Sequence, residues 1–190
     1  ILADFVFEYV SDTKTPQGIL CLVRQKQYSI TEIVKEKGGE LPLLLVLDQI
    51  QDPGNLGTIV RTAEGAGVTG IVMSQDCVDM YNPKVVRSTM GAAYRVPFCY
   101  VDDLAKEVKQ MKEAGICTYA AHLEGKNSYD EEDYRKASAF LIGNEGNGLR
   151  DEVADQAQVY IRIPMKGQVE SLNAAVATAI LTFEAARQRR

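Results

Sequence analysis

Leu43-Leu44-Leu45-Val46-Leu47-Asp48-Gln49-Ile50-Gln51-Asp52-Pro53-Gly54-Asn55-Leu56-Gly57-Thr58-Ile59-Val60-Arg61-Thr62-Ala63 joins an apolar run, a turn and a helical pattern in one stretch. Five apolar residues in succession predict a strand covered on both faces, because a strand with one wet face alternates apolar and polar residues. Pro53-Gly54 has turn chemistry, and Asn55 is well placed to cap a helix running to Glu64, with Gly65 and Gly67 to end it.

The same alternation continues downstream. Gly70–Met73, Val96–Val101, Ile116–Ala120, Ala139–Ile142 and Val159–Ile163 read as further buried strands. Between them lie helical patterns at Pro83–Tyr94, Asp102–Ala114, Gly148–Gln156 and Ser171–Arg189. Strands alternating with helices predict an α/β domain, a mainly parallel sheet flanked by helices, with ligand loops after the strands. Upstream the pattern is different. Ile1–Val10 starts as though inside a strand, Thr13–Gly18 is turn-like, and Gly18–Val23 reads as a strand. Ser29 and Glu32 have capping-box spacing for a short helix to about Lys37, before Gly38-Gly39. Residues 1–41 are thus expected to be the remnant of a preceding, truncated module with its linker, and residues 42–190 the α/β domain.

A chain of 190 residues with 46% hydrophobic and 25% charged residues has the balance of a globular protein, and no run is long enough to cross a membrane. With no leader-like opening, the expectation is a cytoplasmic protein without a membrane partner. Cys21, Cys77, Cys99 and Cys117 are irregularly spaced and there is one His, so neither a disulfide framework nor a metal site is expected. A net charge of −5 argues against gripping nucleic acid through bulk positive charge; RNA binding would need a local patch or a partner protomer.

Three segments carry candidate chemistry. In the first, Asn55 and Arg61 are either a cap and an ordinary surface residue, or a loop anchor and a planar phosphate-binding fork. The second, Phe140-Leu141-Ile142-Gly143-Asn144-Glu145-Gly146-Asn147-Gly148-Leu149, is a plain tight turn or a ligand loop. It lacks the order of a dinucleotide fingerprint or a P-loop, and an acid between glycines exceeds what a turn needs. The third, Tyr160-Ile161-Arg162-Ile163-Pro164-Met165-Lys166-Gly167-Gln168-Val169-Glu170-Ser171-Leu172-Asn173, leads into a small-residue helix with Ser171 as a natural cap. Core or dimer packing accounts for that helix.

Together these segments resemble the SpoU (TrmH-type) family of RNA ribose methyltransferases, in the SPOUT superfamily. N-x-G-x-x-x-R, then G-N-E-G-x-G, then I-P-M-x-G-x-V-x-S-L-N stand in that order, and the resemblance covers roughly Leu43 to Arg190. Asn82-Pro83-Lys84-Val85-Val86-Arg87-Ser88 with Gly91 is similar to the family as well, and Thr15-Pro16-Gln17-Gly18 resembles the end of the substrate-binding domain that often precedes it. The resemblance implies a C-terminal deep trefoil knot, an exception to unknotted connections, and a homodimer with its site at the interface. It implies S-adenosyl-L-methionine held by Ala121, Gly143, Glu145, Gly146, Ile163, Pro164, Met165, Ser171 and Leu172. It further implies methyl transfer to a ribose 2′-oxygen of structured RNA, ribosomal RNA ahead of tRNA, with Arg61, Asn55, Glu145, Ser171 and Asn173 around the reaction. His122, after a predicted strand, is expected to line the pocket or face solvent. A silent RNA-binding member of the fold and a dinucleotide enzyme are the rival readings, separable by titration with S-adenosylmethionine and with NAD.

Overall fold

The computed structural model describes residues 1–11, 15–36 and 38–190. In chain order its elements are α1 (Asp4–Val10), α2 (Ile30–Ile33), β1 (Leu43–Leu47), α3 (Pro53–Gly65), β2 (Gly70–Ser74), α4 (Pro83–Ser88) and a 3-10 turn at Ala92–Tyr94. There follow β3 (Phe98–Val101), α5 (Leu104–Glu113), β4 (Cys117–Ala121), β5 (Asn127–Ser128), a second 3-10 turn at Tyr129–Glu131, β6 (Ser138–Ile142), α6 (Asp151–Ala154), β7 (Val159–Arg162) and α7 (Ala174–Gln188).

The strands form one parallel sheet in the order β3-β2-β1-β6-β4-β7-β5. β1, β2 and β6 are buried at every position, which accounts for their largely apolar character, Ser74 and Ser138 at strand ends excepted. Alternate residues of β1 serve opposite faces of the sheet. Leu43, Leu45 and Leu47 pack with Leu56, Ile59 and Val60 of α3 and Leu181 and Ala185 of α7. Leu44 and Val46 pack with Val108 and Met111 of α5, Val153 of α6 and Ile33 of α2. The result is a sheet between two helical layers. β6 lies between β1 and β4, both of which precede it in the chain, so the loops after β1 and β6 meet at the carboxyl end of the sheet. That is where strand order reverses and where such sheets place ligands.

Within each helical layer the packing is close. At the α3–α4 crossing a Cβ added to Gly57 would stand 2.3 Å from the Ser88 Cβ, so glycine there lets the two helices touch. At the far end, the Arg189 guanidinium donates to the backbone carbonyls of Tyr134 (2.7 Å), Leu41 (2.9 Å), Pro42 (3.0 Å) and Lys136 (2.5 Å). It fastens the end of α7 to the start of β1.

Several expectations are corrected. Residues 4–10 are helical, not extended, and none of α1 is buried. With no sheet edge beside it, its backbone bonds locally. Gly18–Val23 forms no strand and is exposed throughout, again for want of a partner strand. The Ser29–Glu32 capping box is present, but its helix stops at Ile33; the expected end near Lys37 and the turn residues Thr13 and Lys14 fall outside the described residues. α3 is capped by Asp52, whose Oδ1 accepts from the Asn55 N–H at 2.8 Å, so Asn55 stands inside the first turn. The helix expected over Pro83–Tyr94 breaks at Met90 and Gly91, which take φ of 51° and 87°. Asn173, not Ser171, caps α7. The segment expected as a helix from Gly148 is helical only over Asp151–Ala154, because Gly148 takes φ 73° and Arg150 is the cap residue. Two-residue β5 was too short to show a pattern.

Candidate active site

The loops after β4, β6 and β7, with the first turns of α7, surround a cavity of about 720 Å³. Its lining mixes apolar side chains, Ile142, Leu149, Ile161, Ile163, Leu172 and Leu181, with polar ones, His122, Asn144, Glu145, Asn147, Arg162, Glu170 and Ser171. All nine residues expected to hold a cofactor line it: Ala121, Gly143, Glu145, Gly146, Ile163, Pro164, Met165, Ser171 and Leu172. His122 lines it too, its ring tilted at 47° against Tyr160 with centroids 5.2 Å apart, its Nδ1 accepting from the Glu124 N–H at 3.2 Å.

Hydrogen bonds join the three sequence segments into one construction. The Glu145 carboxylate accepts from Asn55 Nδ2 at 3.0 Å, the Asp52 N–H at 3.2 Å and the Gln51 N–H at 3.4 Å. Asn55 Oδ1 in turn accepts from Asn173 Nδ2 at 2.9 Å, while Asn173 Oδ1 accepts from the N–H groups of Ala175 and Val176. Burial alone would raise the Glu145 pKa. The donors from Asn55 and from the backbone of Glu145, Asp52 and Gln51 outweigh it and hold the carboxyl below its ordinary value. Glu145 is therefore an anion and an acceptor at neutral pH.

Not every candidate reaches the cavity. Asn55 and Asn173 are linked to its wall through Glu145 and through the neighbours Leu172 and Ala174, without lining it. Arg61 lies on the exposed face of α3 with Thr58, and among the described residues its guanidinium has no hydrogen-bond or ion-pair partner. Ser171 is exposed and caps nothing. Gly143 is required by the chain itself, since a Cβ there would sit 2.1 Å from the backbone of Gly148 and Leu149.

Two features escaped sequence reasoning. Asn144 donates to the Gln49 carbonyl at 2.7 Å and accepts from the N–H groups of Gly146 and Asn147, bracing the loop from within. Fully buried Asp48 is paired with Arg150, Nη2 to Oδ1 at 2.8 Å. An acid closing an apolar strand, and an Arg just past a glycine-rich turn, were the available signals.

The family model described as "SpoU rRNA Methylase family" matches residues 42–183, the stretch that contains the whole sheet and the cavity. The chain belongs to the SpoU rRNA methylase family. With the SpoU fold comes its trefoil knot, at the carboxyl-terminal end where later strands run between earlier ones. Among relatives, the 23S rRNA (guanosine(2553)-2′-O)-methyltransferase RlmP of Bacillus subtilis is 33% identical over 96% of this chain and 70% of its own length. The 23S rRNA (guanosine-2′-O-)-methyltransferase RlmB of Xylella fastidiosa is 38% identical over 86% of this chain and 66% of its own. The crystal structure of an AdoMet-bound rRNA methyltransferase from Sinorhizobium meliloti matches with a TM-score of 0.77 and 36% identity, over 86% of this chain and 61% of that one. This SpoU chain thus spans about two thirds of the lengths of the proteins it matches.

Proposed function

We propose that the chain carries an S-adenosylmethionine-dependent RNA methyltransferase that methylates a ribose 2′-hydroxyl of ribosomal RNA, 23S rRNA first among candidates. The observation that carries this reading is the Glu145–Asn55–Asn173 hydrogen-bond chain, which brings the three family segments together beside one cavity. The names of its relatives support the substrate class. Residues 42–190 act as the catalytic domain, and residues 1–41 end a substrate-binding module and link it to that domain.

The cavity suits the proposed cofactor. Its volume of about 720 Å³ falls in the range of small-molecule sites, and a lining that mixes apolar and polar side chains suits a ligand that has both an aromatic base and a charged tail. Bound there, S-adenosylmethionine would supply a sulfonium methyl group for transfer to the ribose oxygen, leaving as the neutral thioether. Ile163, Pro164, Met165 and Leu172 keep water from the donor, and the backbone of Gly143–Gly146 with the Ser171 hydroxyl orients it. Glu145, Asn55 and Asn173 position the loops that meet the RNA.

Arg61 takes the role of substrate anchor. A guanidinium, which keeps its proton in proteins, is a poor base but an excellent fork for a phosphate. Exposed Arg61 grips the phosphate beside the target nucleotide and orients O2′, whose proton passes to that phosphate or to solvent. The protein works as a homodimer. Val176 and Phe183, both exposed and seven residues apart on α7, with Ile180 between them, present an apolar stripe for a second copy.

The test incubates the protein with methyl-labelled S-adenosylmethionine and unmodified 23S rRNA or tRNA transcripts, then maps linkages resistant to alkali, which mark 2′-O-methylation. Label at such a linkage in the 23S transcript is expected. Arg61→Ala should keep cofactor affinity and lose about 100-fold in rate, the scale on which misplacing a reacting group acts; a full rate would sink the anchor role.

A further inference from the structure

The loop that forms much of the cavity wall begins and ends on one residue. Asp48 closes β1, and its N–H donates to the carbonyl of Ile142, the last residue of β6, at 2.9 Å. Its carboxylate then receives the residue at the other end of the loop: Oδ2 accepts the Arg150 N–H at 3.0 Å, while Nε and Nη2 of Arg150 reach Oδ1 at 3.0 and 2.8 Å. Residues 143–149 between these two fastenings all line the cavity. Within the span the loop holds itself by paired backbone bonds between Asn144 and Gly148, at 2.9 and 3.0 Å.

An ion pair of this kind is a poor source of net stability. Asp48 is fully buried while the Arg150 side chain is one third exposed, and desolvating the carboxylate consumes most of what the pairing returns. What the arrangement does supply is registry. The guanidinium fork and the backbone N–H of the same residue converge on one rigid carboxylate at a sheet terminus, which fixes both the position and the direction of the chain leaving the loop. Next to it Gln49 is held at φ 56°, uncommon for a residue other than glycine, by its N–H to Ser74 Oγ at 2.9 Å and by Asn144 on its carbonyl. The β1 loop is thereby set so that the N–H groups of Gln51 and Asp52 meet Glu145.

We infer that Asp48 and Arg150 are a positioning pair for the methyl donor: they touch no reacting atom, and they hold the Gly143–Leu149 wall in its binding-competent form before the donor arrives. This rests on reading the cavity as the S-adenosylmethionine site. A loop competent only a tenth of the time binds its ligand about tenfold more weakly, and once donor saturates the site the penalty vanishes. The pair therefore governs the donor KM and leaves kcat nearly unchanged.

Arg150→Met alone leaves a buried unpaired carboxylate and risks the fold, so the decisive variant is Asp48→Leu with Arg150→Met, which replaces the pair by apolar groups of similar size. Arg150→Lys, which keeps the charge and loses the fork, is the milder companion. Calorimetric titration with S-adenosylmethionine in the absence of RNA is expected to show about tenfold weaker binding for the double variant and a smaller loss for Arg150→Lys. Amide exchange at Gly146 and Asn147 should quicken in both, with or without donor. Folded variants that bind the donor within twofold of wild type, with unchanged exchange, overturn the positioning role. A wild-type protein that binds no S-adenosylmethionine overturns the reading of the cavity instead, a result the amide-exchange comparison does not affect.

Discussion

Glu145 is the residue on which distant stretches of chain meet, and its ionisation carries a measurable consequence. Its carboxyl lies below the ordinary value of 4.5 because Asn55 and three backbone N–H groups outweigh the effect of burial. A carboxyl whose folded pKa is depressed stabilises the fold above its unfolded value, and that contribution is lost as pH falls through the folded one. Glu145→Gln, which gives up a charged acceptor at a partly exposed site, is expected to cost about 1 kcal/mol near neutral pH. The gap to wild type should close as pH falls below 4.5, as followed by urea unfolding at a series of pH values. A gap independent of pH would mean that Glu145 serves only as a spacer. Sequence reading found this residue because an acid stood between glycines where a turn needs none. It could not find the partner, since Asn55 lies 90 positions away.

The two loops that line most of the cavity differ in how firmly they are tied down. The loop after β6 is fastened at Asp48 and braced by Asn144. The segment from Ile163 to Leu172, between β7 and α7, makes no hydrogen bond among the described residues, is mostly exposed, and still lines the cavity. Such a segment sits at the low-stability end of a fold and gains order from a ligand that touches it. Trypsin is expected to cut after exposed Lys166 in the free protein, and saturating S-adenosylmethionine to slow that cut about tenfold. Fragment masses identify the site, and equal rates with and without donor would show that the segment does not close on the cofactor. Element boundaries were legible wherever apolar runs were long. They slipped where a cap was chosen by geometry, as with Asp52 over Asn55 and Asn173 over Ser171.

At the scale of the whole molecule, the net charge of −5 leaves RNA contact to local cations such as Arg61 and to whatever a second copy adds. The stripe on α7 belongs to this level. Phe183, 47% exposed, lies over the end of α3, where a Cβ added to Gly65 would be 3.7 Å from its ring. Light scattering on the eluting protein should return twice the chain mass of 20.9 kDa, and Phe183→Glu should return the single mass with the fold intact. A wild-type monomer would remove the dimer from the proposal while leaving the cavity as described.

What the sequence determined by itself is the kind of fold and the identity of the loops that matter. Buried parallel strands must be apolar throughout, and three spaced motifs survive as local patterns of side chains and glycines. What only the tertiary structure decided is which of those loops touch. β6 enters the sheet between β1 and β4, so Asp48 meets Arg150 across 102 positions and Asn55 meets Asn173 across 118. Those contacts depend on the order of strands in space, and a parallel sheet with its connections on either face leaves no trace of that order in local periodicity.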